Sequence, residues 1–253
     1  MHHSIHRQEA VPMGTRQGNI IDGFNLMAPA YDTTADILTL GFHRIWRNYF
    51  CNVFLKKTPQ NGRLLDVATG TGEILFRSLL KRSDIHAYGV DLSEGMLRIA
   101  TQKLQKKSLL YKNKIEFKTG NALHLPYVNG FFDTITICWS VRSLRPIQAV
   151  LREILRVLKP GGCLFILEHG LPELKIVRSF LNKYAATVPL IGTKLTHSKV
   201  AHPLYTTSVD EFSSGKNFAA ELYDAGFTRV KYETFSGGMI YIYTGQKARK
   251  TSP

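Results

Sequence analysis

An α/β fold built on a mostly parallel sheet is what this sequence predicts, and three observations predict it. Short apolar runs alternate with amphipathic helical stretches through residues 63–167. A glycine turn, Gly70-Thr-Gly72, joins the first apolar run to the first of those helices. An acidic residue, Asp91, closes the second run. Alternation of this kind packs helices on both faces of a parallel sheet.

Taken in order, residues 1–18 are polar with Pro and Gly and are expected to form a mobile tail. From Asn19 to about Phe54 the pattern is helical, with a break at Gly41. Thr58-Pro-Gln-Asn-Gly62 is a turn cluster and marks the entry to the core. Strands are expected at Arg63–Val67, His86–Asp91, Lys114–Lys118, Thr134–Cys138 and Leu164–Leu167. Between them lie helices over Glu73–Lys81, from the N-cap Ser93 to about Lys107, and from Pro146 to about Leu158. Lys159-Pro-Gly-Gly162 reads as a stop. Residues 169–212 break the rhythm as mixed helix and loop. A helix at Lys216–Ala225 and strands at Arg229–Thr234 and Met239–Thr244 follow. The short Phe235-Ser-Gly-Gly238 link makes those two strands a hairpin, so the last should run antiparallel to its neighbour. The expected organisation is one domain over 19–247, with a helical cover at 19–57 and a substrate-side insertion at 169–212.

The chain has 253 residues, 44% hydrophobic and 21% charged, which suits a single core of this type. It carries 33 Lys+Arg against 19 Asp+Glu, a net charge of +14. Such a surplus attracts nucleic acid or an anionic membrane. No dense basic block concentrates it, so general solubility charge accounts for it equally well. The three cysteines, Cys51, Cys138 and Cys163, lack CxxC spacing, so neither a disulfide framework nor a metal site is expected. Met1–Arg7 has no apolar signal core or transit pattern, and no apolar run is long enough to span a bilayer. A cytoplasmic placement is the expectation.

The glycine turn is where a ligand is expected. Glycine lets a ligand approach the backbone closely, and the helix that follows exposes N–H donors. A dinucleotide loop needs a third glycine where Leu75 stands, and a phosphate loop needs a Gly-Lys-Ser/Thr ending that is absent. The carboxylate of Asp91 can accept both hydroxyls of a ribose. Asp66 adds a second acid beside the loop. Flanking acids repel a pyrophosphate but suit a cationic sulfonium with an ammonium group, which favours S-adenosylmethionine over NAD. Asn121, in Thr119-Gly-Asn-Ala-Leu-His-Leu-Pro126, could receive an adenine edge, although taken alone that segment reads better as a plain turn.

Phe131-Phe-Asp133 and Arg156-Val-Leu-Lys-Pro-Gly-Gly162 complete a pattern similar to that of class I methyltransferases. A narrower resemblance spans about Phe24 to Gly245. It is carried by Phe24 with Ala28-Pro-Ala-Tyr-Asp32, Gly41-Phe-His-Arg-Ile-Trp46, Leu65-Asp-Val-Ala-Thr-Gly-Thr-Gly72, Val141-Arg142, Leu167-Glu168, Pro189-Leu-Ile-Gly192 and Ala225-Gly-Phe227. In these the chain resembles the ubiquinone/menaquinone-biosynthesis C-methyltransferase family. The resemblance implies a Rossmann-like domain with a seven-stranded, mostly parallel sheet and an antiparallel last strand. It implies S-adenosylmethionine held by Asp66, Thr69, Gly70, Thr71, Gly72, Asp91, Asn121, Ala122 and Cys138. Glu73 stands where the family usually has Asp, Ser143 where it has Asn, and His202-Pro-Leu-Tyr205 alters a Tyr-rich stretch.

The implied reaction is methylation of a prenylated quinol, demethylmenaquinol to menaquinol, with a polyprenyl benzoquinol as the alternative. The ring carbon becomes nucleophilic when a neighbouring phenol, of ordinary pKa ~10, loses a proton. Arg142, after the fourth strand, is the catalytic candidate that favours that loss, unless it is merely a surface ion-pair residue. Tyr31 is expected to close over the methyl group, and His43 to pack structurally. Glu168, His169, His202 and Tyr205 are candidates for proton relay. Leu171, Ile176, Phe180, Leu181, Val188, Leu190 and Ile191 would line a tail groove, lie against a membrane peripherally, or simply form core. The charge leaves an RNA methyltransferase as a second class, but Cys138-Trp-Ser-Val-Arg142 replaces the Asn/Asp-Pro-Pro-aromatic tetrad of base N-methylation. Methylation of another small molecule is also open. A non-catalytic binding module is the third class, and an intact Gly70 and Gly72 argue against it.

Overall fold

A computed structural model describes residues 21–170, 212 and 214–249. The sheet has seven strands: β1 (Arg63–Val67), β2 (His86–Asp91), β3 (Ile115–Thr119), β4 (Phe132–Cys138), β5 (Leu158–His169), β6 (Thr228–Phe235) and β7 (Ile240–Gln246). Their order is β3-β2-β1-β4-β5-β7-β6. The pairs among β1 to β5 are parallel, whereas β7 runs antiparallel to both β5 and β6. That is the sheet the sequence predicts, with the last strand threaded between β5 and β6.

Alternation along the strands sorts side chains into two cores. Leu65, Val67, Ile135, Ile137, Leu164 and Ile166 point to one face. There they meet Val150, Leu151 and Ile154 of one helix and Phe218 and Leu222 of another. Leu64, Phe165, Leu167, Ile240 and Ile242 point to the other face and meet Phe50, Phe54, Ile74, Leu75 and Leu79. The period of two is the reason: successive residues of a strand face opposite sides, so a strand buried on both faces is apolar throughout.

The helices are α1 (Tyr31–Leu38), α2 (Phe42–Leu55), α3 (Glu73–Lys81), α4 (Glu94–Gln105), α5 (Leu109–Lys112), α6 (Ile147–Val157) and α7 (Lys216–Asp224). Residues 21–27 are also helical and pass into a 3-10 turn at Ala28–Ala30. Gly41, at φ +77°, separates α1 from α2, as its place in the sequence predicts. Ser93 caps α4 by accepting the Met96 N–H.

Three details depart from the sequence reading. The short α5 was not expected. The helix after Ser93 ends at Gln105 rather than about Lys107. Lys159-Pro-Gly-Gly162 does not stop the chain before a strand but lies inside β5. There Leu158 pairs with Phe132 and the ladder resumes at Cys163 with Thr134, so the turn residues are absorbed as a bulge. The tail 1–18 and almost all of 169–212, including His202, Tyr205, the Pro189–Gly192 segment and the apolar residues from Leu171 to Ile191, lie outside the described residues.

Candidate active site

The carboxyl ends of β1, β2, β4 and β5 converge where ligands bind in open α/β sheets. β1 passes into a loop with three left-handed residues: Ala68 at φ +55°, Gly70 at +56° and Gly72 at +79°. The two glycines serve different needs. A Cβ on Gly70 would meet nothing within 4 Å, so its backbone stays open to a ligand. A Cβ on Gly72 would lie 2.8 Å from Phe117 Cζ, so Gly72 lets the loop pack down on β3. Ala68 takes the left-handed conformation without being glycine, a strain of roughly 1–3 kcal/mol that clusters at functional sites.

Asp91 closes the loop from below. Its Oδ2 accepts the Gly70 N–H at 2.7 Å and its Oδ1 accepts the Ser93 N–H at 2.9 Å. A carboxylate has about four acceptor positions, so Asp91 keeps capacity for a further donor. Burial raises the Asp91 pKa, and the amides of Ser93 and Gly70 work against that.

Asp66 is fully internal. Its Oδ1 accepts from Thr136 Oγ1 at 2.7 Å and its Oδ2 from Thr69 Oγ1 at 2.8 Å. Burial lifts its carboxyl to about 7, with the two threonine hydroxyls opposing the rise. Asp66 and Thr69 therefore form one unit beneath the loop. Asn121 Oδ1 accepts the Leu123 N–H at 2.9 Å, which makes the local turn. Ala122 packs into the core beside it. Cys138, at the end of β4, is half-buried, and burial pushes its thiol well up.

The helical cover is fastened to this loop at two points. Thr71 Oγ1 donates to Asp32 Oδ1 at 2.9 Å, and Lys103 Nζ bridges Asp32 Oδ2 at 2.6 Å and Glu73 Oε1 at 2.8 Å. Further back, Asn25 Oδ1 accepts from Ser93 Oγ at 2.7 Å and from the Gly95 N–H at 2.9 Å. Glu73 thus has a structural partner in Lys103. Tyr31 stands next to this latch. Burial raises its pKa, while the charges of Arg47 and Arg142 lower it. His43 is buried, with Nδ1 2.6 Å from Thr39 Oγ1, and burial with Arg47 brings its pKa down to about 4. It packs as a neutral residue.

Beyond β4, Val141–Ser143 form a 3-10 turn that buries Arg142. Its guanidinium donates to Glu168 Oε1, and Nη1 also donates to the Trp139 carbonyl at 2.8 Å. Glu168 is 0% exposed, so this is a buried ion pair and not a surface one. Trp139, at φ +62°, stacks on His169 with ring centroids 4.2 Å apart. Trp46 meets the edge of Trp139 at 6.1 Å and stacks with Phe42 at 6.3 Å. An aromatic row therefore runs from α2 to the end of β5. Burial and Arg142 hold His169 neutral.

Four residues escaped the sequence reading: Trp139, Lys103, Asn25 and Arg47. Lys103 and Asn25 act over separations near 70 residues, which no local pattern reveals. Arg47 carried a signal: it interrupts the apolar stripe of α2 at helical spacing from His43 and Cys51.

The sheet order, the open glycine loop and the acid closing β2 define a class I methyltransferase, the class that takes its methyl group from S-adenosylmethionine. Known proteins agree. The model of the ubiE/COQ5 methyltransferase family matches residues 13–247. The chain therefore belongs to the ubiE/COQ5 methyltransferase family. It is 32% identical to a ubiquinone/menaquinone biosynthesis C-methyltransferase of Sinorhizobium fredii, across 94% of this chain and 92% of that one. It is 32% identical to the protein of that description from Brucella canis, across 94% and 89% of the two chains. Among solved structures, a SAM-dependent methyltransferase from Aquifex aeolicus superposes with a TM-score of 0.56 at 21% identity, covering 78% of this chain and 88% of that one. At that identity the superposition speaks to the fold alone.

Proposed function

We propose that this methyltransferase alkylates a ring carbon of a prenylated quinol, converting demethylmenaquinol to menaquinol; a polyprenyl benzoquinol is the alternative acceptor. The observation that carries the reading is the Arg142–Glu168 pair, buried beside the aromatic row at the carboxyl edge of the sheet. A planar ring fits against such a row, and a buried cation favours the ionised form of a phenol. The curated relatives named above carry quinone biosynthesis in their names.

Bound S-adenosylmethionine supplies the electrophilic methyl group. The chain supplies position and charge. Asp91 would take the ribose hydroxyls, the open backbone at Gly70 and Thr71 would line the amino-acid end, and Asn121 with Ala122 would border the adenine. Cys138 and the Asp66–Thr69 unit would flank the sulfonium. Arg142, held in one orientation by Glu168 and the Trp139 carbonyl, would draw the substrate oxygen and lower its pKa. His169, neutral, is available as an acceptor for the proton released. Tyr31 would close the site from the cover side and exclude water.

The acceptor's tail is apolar, and exposed apolar side chains lie near the cover: Leu40, Phe42 and Ile45, with Arg44 among them. No described helix is long and apolar enough to cross a membrane. Peripheral contact with an anionic bilayer through this face is part of the proposal, as is a cytoplasmic location. The division into a tail at 1–18, a single domain over 19–247 and a substrate-side segment at 169–212 is proposed on the same footing.

The deciding assay offers demethylmenaquinone and the benzoquinone precursor, each oxidised or reduced with dithionite. An oxidised ring is electron-poor and cannot attack a sulfonium methyl. Product should form only from reduced substrate, and faster from demethylmenaquinol. Equal methylation of both redox forms would overturn quinol C-methylation.

A further inference from the structure

Arg47 lies on the buried face of α2 and is 6% exposed. Among the described residues it makes no hydrogen bond and no ion pair. The carboxylates around it are all held by other donors. Asp32 is taken by Lys103 and Thr71, and Glu73 by Lys103. Asp36 is taken by Arg44, and Asp66 by Thr69 and Thr136. A guanidinium stays charged at every working pH. Burial opposes that charge and the surrounding acidic groups outweigh it, so the charge is tolerated, yet none of them accepts a hydrogen bond from it. The donor fork is therefore left for a ligand.

The position of Arg47 identifies the end of the ligand it meets. The helix that carries it packs on α3, and its neighbour Trp46 meets Trp139 just past the end of β4. In keeping with that, its charge acts on Tyr31 at the start of α1, Asp66 in β1, Glu73 at the start of α3 and Cys138 at the end of β4. It is not among the groups that act on Asp91, at the end of β2. A nucleoside ligand with its ribose on Asp91 and its chain across the glycine loop therefore presents its far end toward Arg47. In the methyl donor that far end is an amino acid, with one ammonium and one carboxylate. The carboxylate of that end needs a cation, and Arg47 is the buried cation on that side.

We propose that Arg47 is the receptor for the α-carboxylate of the methyl donor, a binding role beyond the loop residues already assigned. It rests on the reading that this edge of the sheet holds S-adenosylmethionine. The guanidinium fork matches a carboxylate with two parallel N–H donors. The same contact would fix the far end of the cofactor while Asp91 fixes the ribose, and so set the direction of the methyl group between them.

Two ligands separate the carboxylate from everything else. S-adenosylhomocysteine carries the amino-acid end, and methylthioadenosine lacks it. Titration calorimetry on wild type, Arg47→Met and Arg47→Lys is the experiment. Arg47→Met should weaken S-adenosylhomocysteine by ~10–100-fold, the loss of a charge-assisted contact, and leave methylthioadenosine unchanged. Arg47→Lys should recover part of the loss, because it keeps the charge without the fork. Equal losses for the two ligands, or unchanged S-adenosylhomocysteine affinity with a raised KM for the quinol, would overturn the assignment. A wild type that binds neither ligand would overturn the cofactor site itself, a failure distinct from that of Arg47.

Discussion

Lys103 Nζ and Asp32 Oδ2 are 2.6 Å apart, and this pair joins α4 to the first turn of α1 in the helical cover. Both side chains are about one-third exposed, and Thr71 and Glu73 share the contact. A network of this kind holds the cover over the glycine loop more firmly than one surface pair would. Lys103→Met should cost only ~1 kcal/mol of global stability. Its local effect should be larger: amides in residues 21–38 should exchange faster by mass spectrometry, with those of β1 and β4 unaffected. Unchanged exchange in 21–38 would mean the latch is ornamental to the cover.

Asp91 closes the loop by accepting the Gly70 amide, and in the proposed function it also takes the ribose hydroxyls. Asp91→Ala should weaken S-adenosylmethionine by ~1–3 kcal/mol in titration calorimetry. Because the Gly70 amide also loses its partner, the loop should loosen, and the enthalpy of binding should fall along with the affinity. Full affinity in the variant would place the ribose elsewhere.

Arg142 and Glu168 must be tested together. Removing one partner strands a buried charge and typically costs ~3–5 kcal/mol of stability. Arg142→Ala should therefore lower both Tm and kcat, while cofactor affinity in the folded protein stays near wild type. The catalytic share is isolated by the double variant Arg142→Leu/Glu168→Leu, which leaves no unpaired charge. That variant should regain much of the Tm yet remain slow, with a pH–rate profile that rises later because the phenol keeps its higher pKa. Full kcat at pH 7 in the double variant would remove Arg142 from the reaction.

Asp66 predicts a pH dependence with a definite sign. Its pKa is about 7 in the folded protein against 3.8 as the ordinary value. The folded state therefore binds the extra proton between those values. The stability this group contributes is full below pH ~4 and is lost as pH rises through about 7. Denaturant midpoints of wild type and Asp66→Asn, compared from pH 5 to 8, should show wild type losing ground to the variant as pH rises. Parallel curves would mean that Asp66 is already ionised at pH 5.

The proposed membrane contact combines apolar side chains with charge. Co-sedimentation with anionic vesicles should fall as salt rises, since exposed charges are screened beyond ~10 Å at 0.1 M. Leu40→Ser with Ile45→Ser should lower the binding that survives at high salt. If wild type and variant bind alike at every salt concentration, this face does not meet the bilayer.

Much of this molecule was legible one residue at a time. The apolar runs at Leu64–Val67 and Leu164–Leu167, the helix after Gly72 and the Ser93 cap are local patterns, and the structure bears them out. The loop and its acid were legible because glycine and a strand-end carboxylate answer a chemical need at fixed spacing. What stayed hidden depends on three-dimensional proximity. The pairing of Arg142 with Glu168 spans 26 residues and two strand ends. The absorption of Pro160 and Gly161 into β5 follows from Leu158 finding Phe132 across the sheet, which outweighs local turn propensity.

The placement of β7 has a consequence for how the chain comes into being. β5 and β6 are made first, yet they are not neighbours; residues 240–246 must arrive and slide between them. Until then the outer edge of β5, with Phe165, Ile166 and Leu167, presents unpaired backbone, and β6 has nothing to join. An open apolar edge recruits strands from other chains. The interval between synthesis of β5 and arrival of β7 is therefore when a newborn molecule is most prone to aggregate, and when a chaperone has most to protect.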